Sequence, residues 1–431
     1  MVKRVLMVAF HFPPLHGSSG IQRTLKFAKY LPQHGWQPLV LSAHPRAYPQ
    51  TGPDQMEELD AHIVVRRAFA LDASRHLSLF GRYPGWLAQP DRWASWVAGA
   101  IPAGLSLIRH YKPQLIWSTY PIASANLIGY ALHRLSGLPW IADFRDPMID
   151  EHYPANALSR RMHRRMEQLT MQRCAAAVCT TAAAARSYRR SYPGMDLRLI
   201  ENGYDEADFM GVEPTAPACD RPFTMLHSGV IYPSERDPGP LLQAIGSLLR
   251  EGILSPLRFR LVLRATGHDA HLRELIAGHG VETVVQTAPH IGYREALAEM
   301  LSADGLLLLQ AANCNEQVPA KLYEYLRARR PLLALTDQHG ETAAVLRQAG
   351  VDTIAPLDSA EEIRQALPRF IELASSGKAP MASDAAVAKA SRLSRTAELA
   401  ALMDEIIAGE REGAAARTRE RSSPHRPLPP G

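Results

Sequence analysis

The 431-residue chain has little cysteine, no long apolar run and almost no charge imbalance, and each shortage closes a class of explanation. Its four cysteines, Cys174, Cys179, Cys219 and Cys314, fit neither the ligand spacing of a zinc site nor a disulfide framework in a chain this large, so they read as reduced thiols of a cytoplasmic protein. No apolar stretch reaches the roughly 18 to 20 residues that a membrane-spanning helix needs. The opening segment, with Lys3 and Arg4 before a short apolar run that stops at His11 and Pro13, reads as a first β-strand rather than a signal peptide. Lys and Arg total 48 against 43 Asp and Glu, a formal excess of +5. That excess suits an anionic substrate or a membrane surface; nucleic-acid binding would need a basic stripe with interleaved aromatics, which is missing. No Asp-x-Asp motif occurs and no His, Cys and carboxylate cluster has ligand spacing, so neither a metal nor a cofactor is expected.

What is present is an alternation. An apolar strand at Val5 to Phe10 leads into a turn-rich loop, His11 to Gly20, and then a helix-period stretch holding Ile21, Leu25, Ala28 and Leu31. Strands at Leu39 to Ala43, Leu115 to Ser118 and Trp140 to Asp143 alternate with helices near Trp93 to Arg109 and Ile122 to Leu135. The segment Ala47 to Pro90 has no clear period and reads as loops and minor elements. A basic helix, Ser159 to Arg173, precedes strands at Ala177 to Thr180 and Leu197 to Ile200. A polar, proline-containing stretch, Met210 to Arg221, reads as an interdomain linker. A second alternation follows, with strands at Phe223 to Leu226, Phe259 to Leu263, Val284 to Gln286 and Leu306 to Leu309. Short apolar strands between helices predict parallel sheets covered on both faces, here two doubly wound α/β domains in series. The expected boundaries are 1–209 and 210–385 for the domains, 386–409 for a helical segment, and 410–431 for a disordered tail rich in Arg, Ser and Pro.

The stretch Glu316, Gln317, Val318, Pro319, Ala320, Lys321, Leu322, Tyr323, Glu324 is the most informative chemically. Pro319 suits the first turn of a helix, and Pro331 stops that helix before a strand at Leu332 to Leu335. A helix start offers free N–H groups and a positive dipole end, so a diphosphate can sit above Ala320 and Lys321. One turn on, Glu324 can accept both hydrogen bonds of a ribose diol, while Glu316 in the preceding loop can reach a sugar. Two glutamates around a helix start also suit a plain solvated helix. The loop Gly17, Ser18, Ser19, Gly20 lacks a strict G-x-G-x-x-G and reads equally as a turn. Asn202 to Asp205 taken alone is a turn, and His290, Ile291 and Gly292 follow a strand where backbone groups could read a nucleobase.

Taken as a set, these motifs resemble retaining GT-B glycosyltransferases of the family-four type. The Glu-x7-Glu arrangement in Val-Pro-Ala-Lys-Leu-Tyr-Glu-Tyr-Leu is similar to that family's nucleotide-sugar site. His11-Phe12-Pro13-Pro14 with Gly17 to Gly20 resembles its opening loop, and Asp143-Phe144-Arg145-Asp146-Pro147 its acceptor-domain signature. Asn202-Gly203-Tyr204-Asp205 resembles the domain crossing, and His227 to Tyr232 with Arg236-Asp237-Pro238 the first loop of the donor domain. The resemblance implies two Rossmann-like domains facing each other across a cleft, with a C-terminal helix packing back on the N-terminal domain. It implies a sugar moved with retention from a nucleoside diphosphate to a glycan or lipid-linked acceptor, in cell-surface polysaccharide or glycolipid synthesis. Glu316 would contact the donor sugar and Glu324 the ribose. Arg236 would clamp the diphosphate, with Lys321 standing in for a lysine absent from the Pro238-Gly239-Pro240 stretch. Asp143 would touch the sugar from the N-terminal domain. Gly17, Ser18, Ser19, Gly20, Gly229, Ile291, Ala320 and Leu322 would line the donor. A nucleotide-sugar 2-epimerase of the same fold and a catalytically silent nucleotide-sugar binder are the rival readings.

Arg160, Arg161, Arg164 and Arg165 recur at i and i+4 and share one helix side, with Arg186, Arg189 and Arg190 near in sequence. They form a solvated helix or a face for anionic lipid at the inner membrane surface.

Overall fold

Runs such as Val-Leu-Met-Val and Leu-Leu-Leu-Leu bury side chains on both sides of a strand, which only a sheet covered on both faces can accommodate. The computed structural model describes residues 2–17, 20–53, 55–56, 58–60, 63–80, 82–150, 153–214 and 221–422. Ser18, Ser19 and Cys219 lie outside the described residues.

The first sheet comprises β1 (Lys3–Val8), β2 (Trp36–Ala43), β3 (Val64–Ala68), β4 (Leu115–Thr119), β5 (Trp140–Arg145), β6 (Ala176–Cys179) and β7 (Leu197–Leu199), ordered β3-β2-β1-β4-β5-β6-β7. The second comprises β8 (Phe223–Ser228), β9 (Phe259–Arg264), β10 (Val285–Ala288), β11 (Gly305–Leu309), β12 (Leu332–Leu335) and β13 (Ile354–Ala355), ordered β10-β9-β8-β11-β12-β13. Every pairing is parallel, with Val5 against both Pro38 and Leu115 in one sheet and Leu306 against Leu332 in the other. Each sheet therefore reverses its winding beside its first strand, between β1 and β4 and between β8 and β11. Ligands of doubly wound sheets bind outside the carboxyl ends of the strands at such a reversal.

Contacts divide the chain into two units. One holds residues 1–180, 184–200 and the segment from Arg395 onward; the other holds 181–183 and 201–394. The first core contains four fully buried tryptophans, Trp36, Trp96, Trp117 and Trp140. The indole of Trp140 donates to Ser118 Oγ at 2.9 Å, so its polar edge is satisfied. Leu399, Leu402, Met403 and Ile407 of the last helix join this core, and Asp404 accepts from the Trp36 indole at 3.0 Å.

Within the segment read as loops and minor elements lies the edge strand β3, whose Arg66 and Arg67 interrupt the apolar pattern that would have marked it. Two sequence expectations change. The helix expected to include Pro319 spans Lys321–Ala328, with Ala320 at its cap and Pro319 just ahead of it. The last helix spans Arg392–Ser422, well past Glu410, where a disordered tail was expected. Ala, Glu and Arg dominate that stretch, and their helix propensity needs no apolar stripe.

Candidate active site

The second unit gathers its polar side chains where β8 and β11 end. His227, the penultimate residue of β8, is fully buried. Its Nδ1 lies 3.0 Å from the Leu307 carbonyl of β11. A carbonyl only accepts, so Nδ1 carries the proton and Nε2 presents a lone pair. Lys321 Nζ approaches that lone pair at 3.4 Å. Burial, together with Lys321 and then Arg236, holds the His227 ring well below the usual imidazole range, so it stays neutral.

The lysine reaches this position through Gly229. That residue has φ +119°, and a Cβ there would stand 2.7 Å from Lys321 Nζ. The backbone angle calls for glycine, and a Cβ there would push aside the flexible end of the lysine. Burial, then the Arg236 guanidinium, pulls the Lys321 ammonium down to about 7, with Glu324 opposing. Arg236 is anchored by its donation to the Val230 carbonyl, and its guanidinium lies 5.4 Å from the Tyr232 ring centre. Two cations thus share one corner at the end of β8, an arrangement that an anion would stabilise.

Glu324 lies in the first turn of the helix Lys321–Ala328 and accepts from the Tyr293 hydroxyl at 2.8 Å. Burial, then the Asp208 carboxylate, raises its pKa, while the Tyr293 bond opposes that rise. Tyr293 opens the helix that follows Ile291 and Gly292, so the loop after β10 and the helix start of Lys321 meet at one carboxylate. Ala320 caps that helix, and its own amide and that of Lys321 precede the first intrahelical bonds. Glu316 occupies an exposed turn between Cys314 and the helix. Behind them the Tyr325 hydroxyl accepts from the Ser228 amide at 3.0 Å and ties the helix to the strand end.

Two assignments are corrected. The amide of Leu322 already donates to the Pro319 carbonyl at 2.9 Å and its side chain is fully buried in the core, so nothing of Leu322 is left for a donor. Asp143, two residues before the end of β5, is also fully buried. Its two oxygens accept from Arg23 Nε and Nη2 at 2.9 and 2.8 Å, and Thr119 donates to it at 2.8 Å. It is a structural ion pair rather than a group presented to a sugar.

In the first unit the titratable group in the loop after β1 is His11. Its Nδ1 is buried with no partner among the described residues, and burial, then Arg145, lowers its pKa to about 3. Gly20 starts the helix Gly20–Tyr30 beside it, and a Cβ there would collide with the His11 ring. Gly17 takes φ +77°.

Sequence reasoning named His227 and His11 as members of motifs without giving them roles, and it passed over Tyr293. A histidine one residue short of a strand end was the available signal for His227.

Residues 19–203 match the family model of the glycosyl transferase 4-like domain. Among solved structures, the chain is similar to a sucrose-phosphate synthase from Thermosynechococcus elongatus, with TM-score 0.62, 15% identity, and coverage of 98% of this chain and 100% of that one. HepE of Anabaena, in complex with UDP and glucose, gives TM-score 0.59 at 15% identity, covering 96% and 100%. The lipopolysaccharide outer core galactosyltransferase WaaB gives TM-score 0.59 at 10% identity, covering 93% and 99%. No curated protein matches the chain in sequence. The fold is GT-B, built from two Rossmann-like domains.

Proposed function

We propose that this protein is a retaining glycosyltransferase that moves a sugar from a nucleoside-diphosphate donor to a glycan or lipid-linked acceptor. The observation that carries the reading is the pairing of Arg236 and Lys321 at the end of β8, one helical turn from Glu324. Two cations and a helix start suit a diphosphate, and the carboxylate beyond them suits a ribose diol. HepE, similar in fold, is bound to UDP and glucose, and WaaB is a galactosyltransferase of the lipopolysaccharide core.

As the glycosidic bond breaks, the sugar passes through an oxocarbenium-like state and negative charge grows on the departing diphosphate. Arg236 and Lys321 stabilise that charge, which makes the reaction independent of a metal. The leaving phosphate oxygen assists deprotonation of the acceptor on the same face, so configuration is retained. Glu316 holds the sugar, and the backbone near Ile291 reads the base. The acceptor belongs to cell-surface polysaccharide or glycolipid synthesis at the inner face of the membrane, where Arg160, Arg161, Arg164 and Arg165 attract anionic lipid.

Turnover at saturating donor tests this reading. Arg236→Ala lowers turnover more than donor affinity, by about 2.7 to 4 kcal/mol in the barrier, because its interaction strengthens in the transition state. Arg236→Lys recovers part, since an ammonium keeps the charge without the planar fork. Near-wild-type rates in Arg236→Ala would remove this residue from the reaction. Release of nucleoside diphosphate only when acceptor is added separates transfer from epimerisation and from silent binding.

A further inference from the structure

The first unit carries a surface segment that its core does not explain. Between the buried Asp72 and the buried Pro90 the chain forms two short helical turns, Ala73–His76 and Gly85–Ala88, on either side of a bend. Large apolar side chains stand in solvent there: Leu79 is 72% exposed, Phe80 96% and Trp86 70%. The bend is not frayed. Leu79 and Arg82 exchange backbone hydrogen bonds of 2.8 and 3.0 Å, and Phe80 is held between them at φ +51°, a left-handed angle that a bulky residue adopts only under constraint. A closed turn therefore presents a phenyl ring to water.

The charges around it are of one sign. Residues 73–90 contain Arg75 and Arg82 and no Asp or Glu. The segment returns to the helix Ala157–Met171, where Gln89 Nε2 donates to Ser159 Oγ at 2.8 Å. That helix exposes Leu158 (53%) and Met162 (37%) one turn apart, together with Arg161, Arg164 and Arg165. Its single acid, Glu167, is buried and taken up by the hydroxyls of Tyr188 and Tyr192 at 3.1 and 2.8 Å. Loop and helix thus join exposed apolar side chains to guanidinium groups, with the exposed Asp150 near the helix start, where its carbonyl accepts from Arg160.

We propose that this surface, made by residues 77–80 and 82–86 with the helix Ala157–Met171, docks the protein on an anionic phospholipid bilayer. Phe80, Leu79 and Trp86 enter the headgroup boundary, where an aromatic ring is better placed than in water, and the arginines pair with lipid phosphates. The positive rim selects an anionic bilayer over a neutral one. The inference rests on the membrane contact proposed above for the basic helix and adds the apolar loop to it; because it uses the first unit alone, its failure leaves the donor site untouched.

Sedimentation of the full-length protein with vesicles tests it, using phosphatidylcholine alone and phosphatidylcholine mixed with phosphatidylglycerol. The wild type is expected to bind the mixed vesicles, less so as salt is raised. Phe80→Ser/Trp86→Ser lowers the partition coefficient roughly tenfold or more, and Arg161→Glu/Arg165→Glu does the same on mixed vesicles. All four positions are at the surface, so an unchanged thermal midpoint accompanies each loss. If the double serine variant unfolds, Phe80→Ser alone asks the same question. Wild-type protein left in the supernatant would overturn the proposal, as would a serine variant that sediments like the wild type or binding that ignores both salt and the arginine pair.

Discussion

Lys321 Nζ lies 3.4 Å from Nε2 of His227, a ring whose other nitrogen is committed to the Leu307 carbonyl. A neutral acceptor beneath an ammonium fixes where the charge sits without cancelling it, which leaves the charge available to an anion arriving from outside the sheet.

The position of Lys321 makes its charge conditional. With a pKa near 7 against an ordinary 10.5, it is half charged at neutral pH. An anion favours the charged form, so nucleoside diphosphate affinity should fall as pH rises from about 6 to about 9. Lys321→Met should bind more weakly and lose the part of that slope due to the lysine, which calorimetry across the range reads. The stability effect has the opposite sense. Between 7 and 10.5 the unfolded chain binds the proton that the folded one does not, so this lysine's contribution to stability rises with pH there. Lys321→Met should accordingly raise the thermal midpoint at neutral pH.

His227 acts through Lys321 if the contact matters. Replacing it by Phe should weaken diphosphate binding in the wild-type background and change little in Lys321→Met, because the second substitution removes what the first disturbs. Additive losses would mean that the histidine serves only the strand end.

Gly229→Ala should be costly in two separable ways. A side chain at φ +119° strains the backbone by about 1 to 3 kcal/mol, which unfolding measures. The new Cβ also displaces the ammonium, so diphosphate affinity should drop in the Ala variant and drop no further when Lys321→Met is added. Wild-type affinity in Gly229→Ala would show that the lysine does not need this passage.

Asp143→Ala should behave as a folding variant. Removing one partner of the buried Arg23–Asp143 pair leaves an unmatched charge and should cost about 3 to 5 kcal/mol of stability in urea titration. An Asp143→Ala protein with wild-type stability and no activity would return this residue to the chemistry.

These cases show which kinds of feature could be seen from sequence. The helix beginning at Lys321 was legible because Pro319 and Pro331 bracket an amphipathic run, and local rules govern both ends. The strand alternation was legible because parallel strands are continuously apolar. Asp143 was misread because its partner Arg23 is 120 residues away, and a carboxylate ending a strand looks the same whether it faces a ligand or a guanidinium. Leu322 fell to a subtler fact, the capture of its amide by Pro319 in the turn ahead of the helix. His227 was named only as the start of a loop motif, with the strand expected to end at Leu226, and its role stayed hidden because only the third dimension brings Lys321 beside it.

The most direct test of the central claim is calorimetric titration of the wild type and Glu324→Ala with UDP, GDP and ADP. One of the three should bind the wild type at one site, and Glu324→Ala should weaken that binding by about 1.5 to 3 kcal/mol through the lost ribose contacts. Failure of all three to bind, or equal affinity for wild type and Glu324→Ala, would contradict a nucleotide-sugar site at this helix.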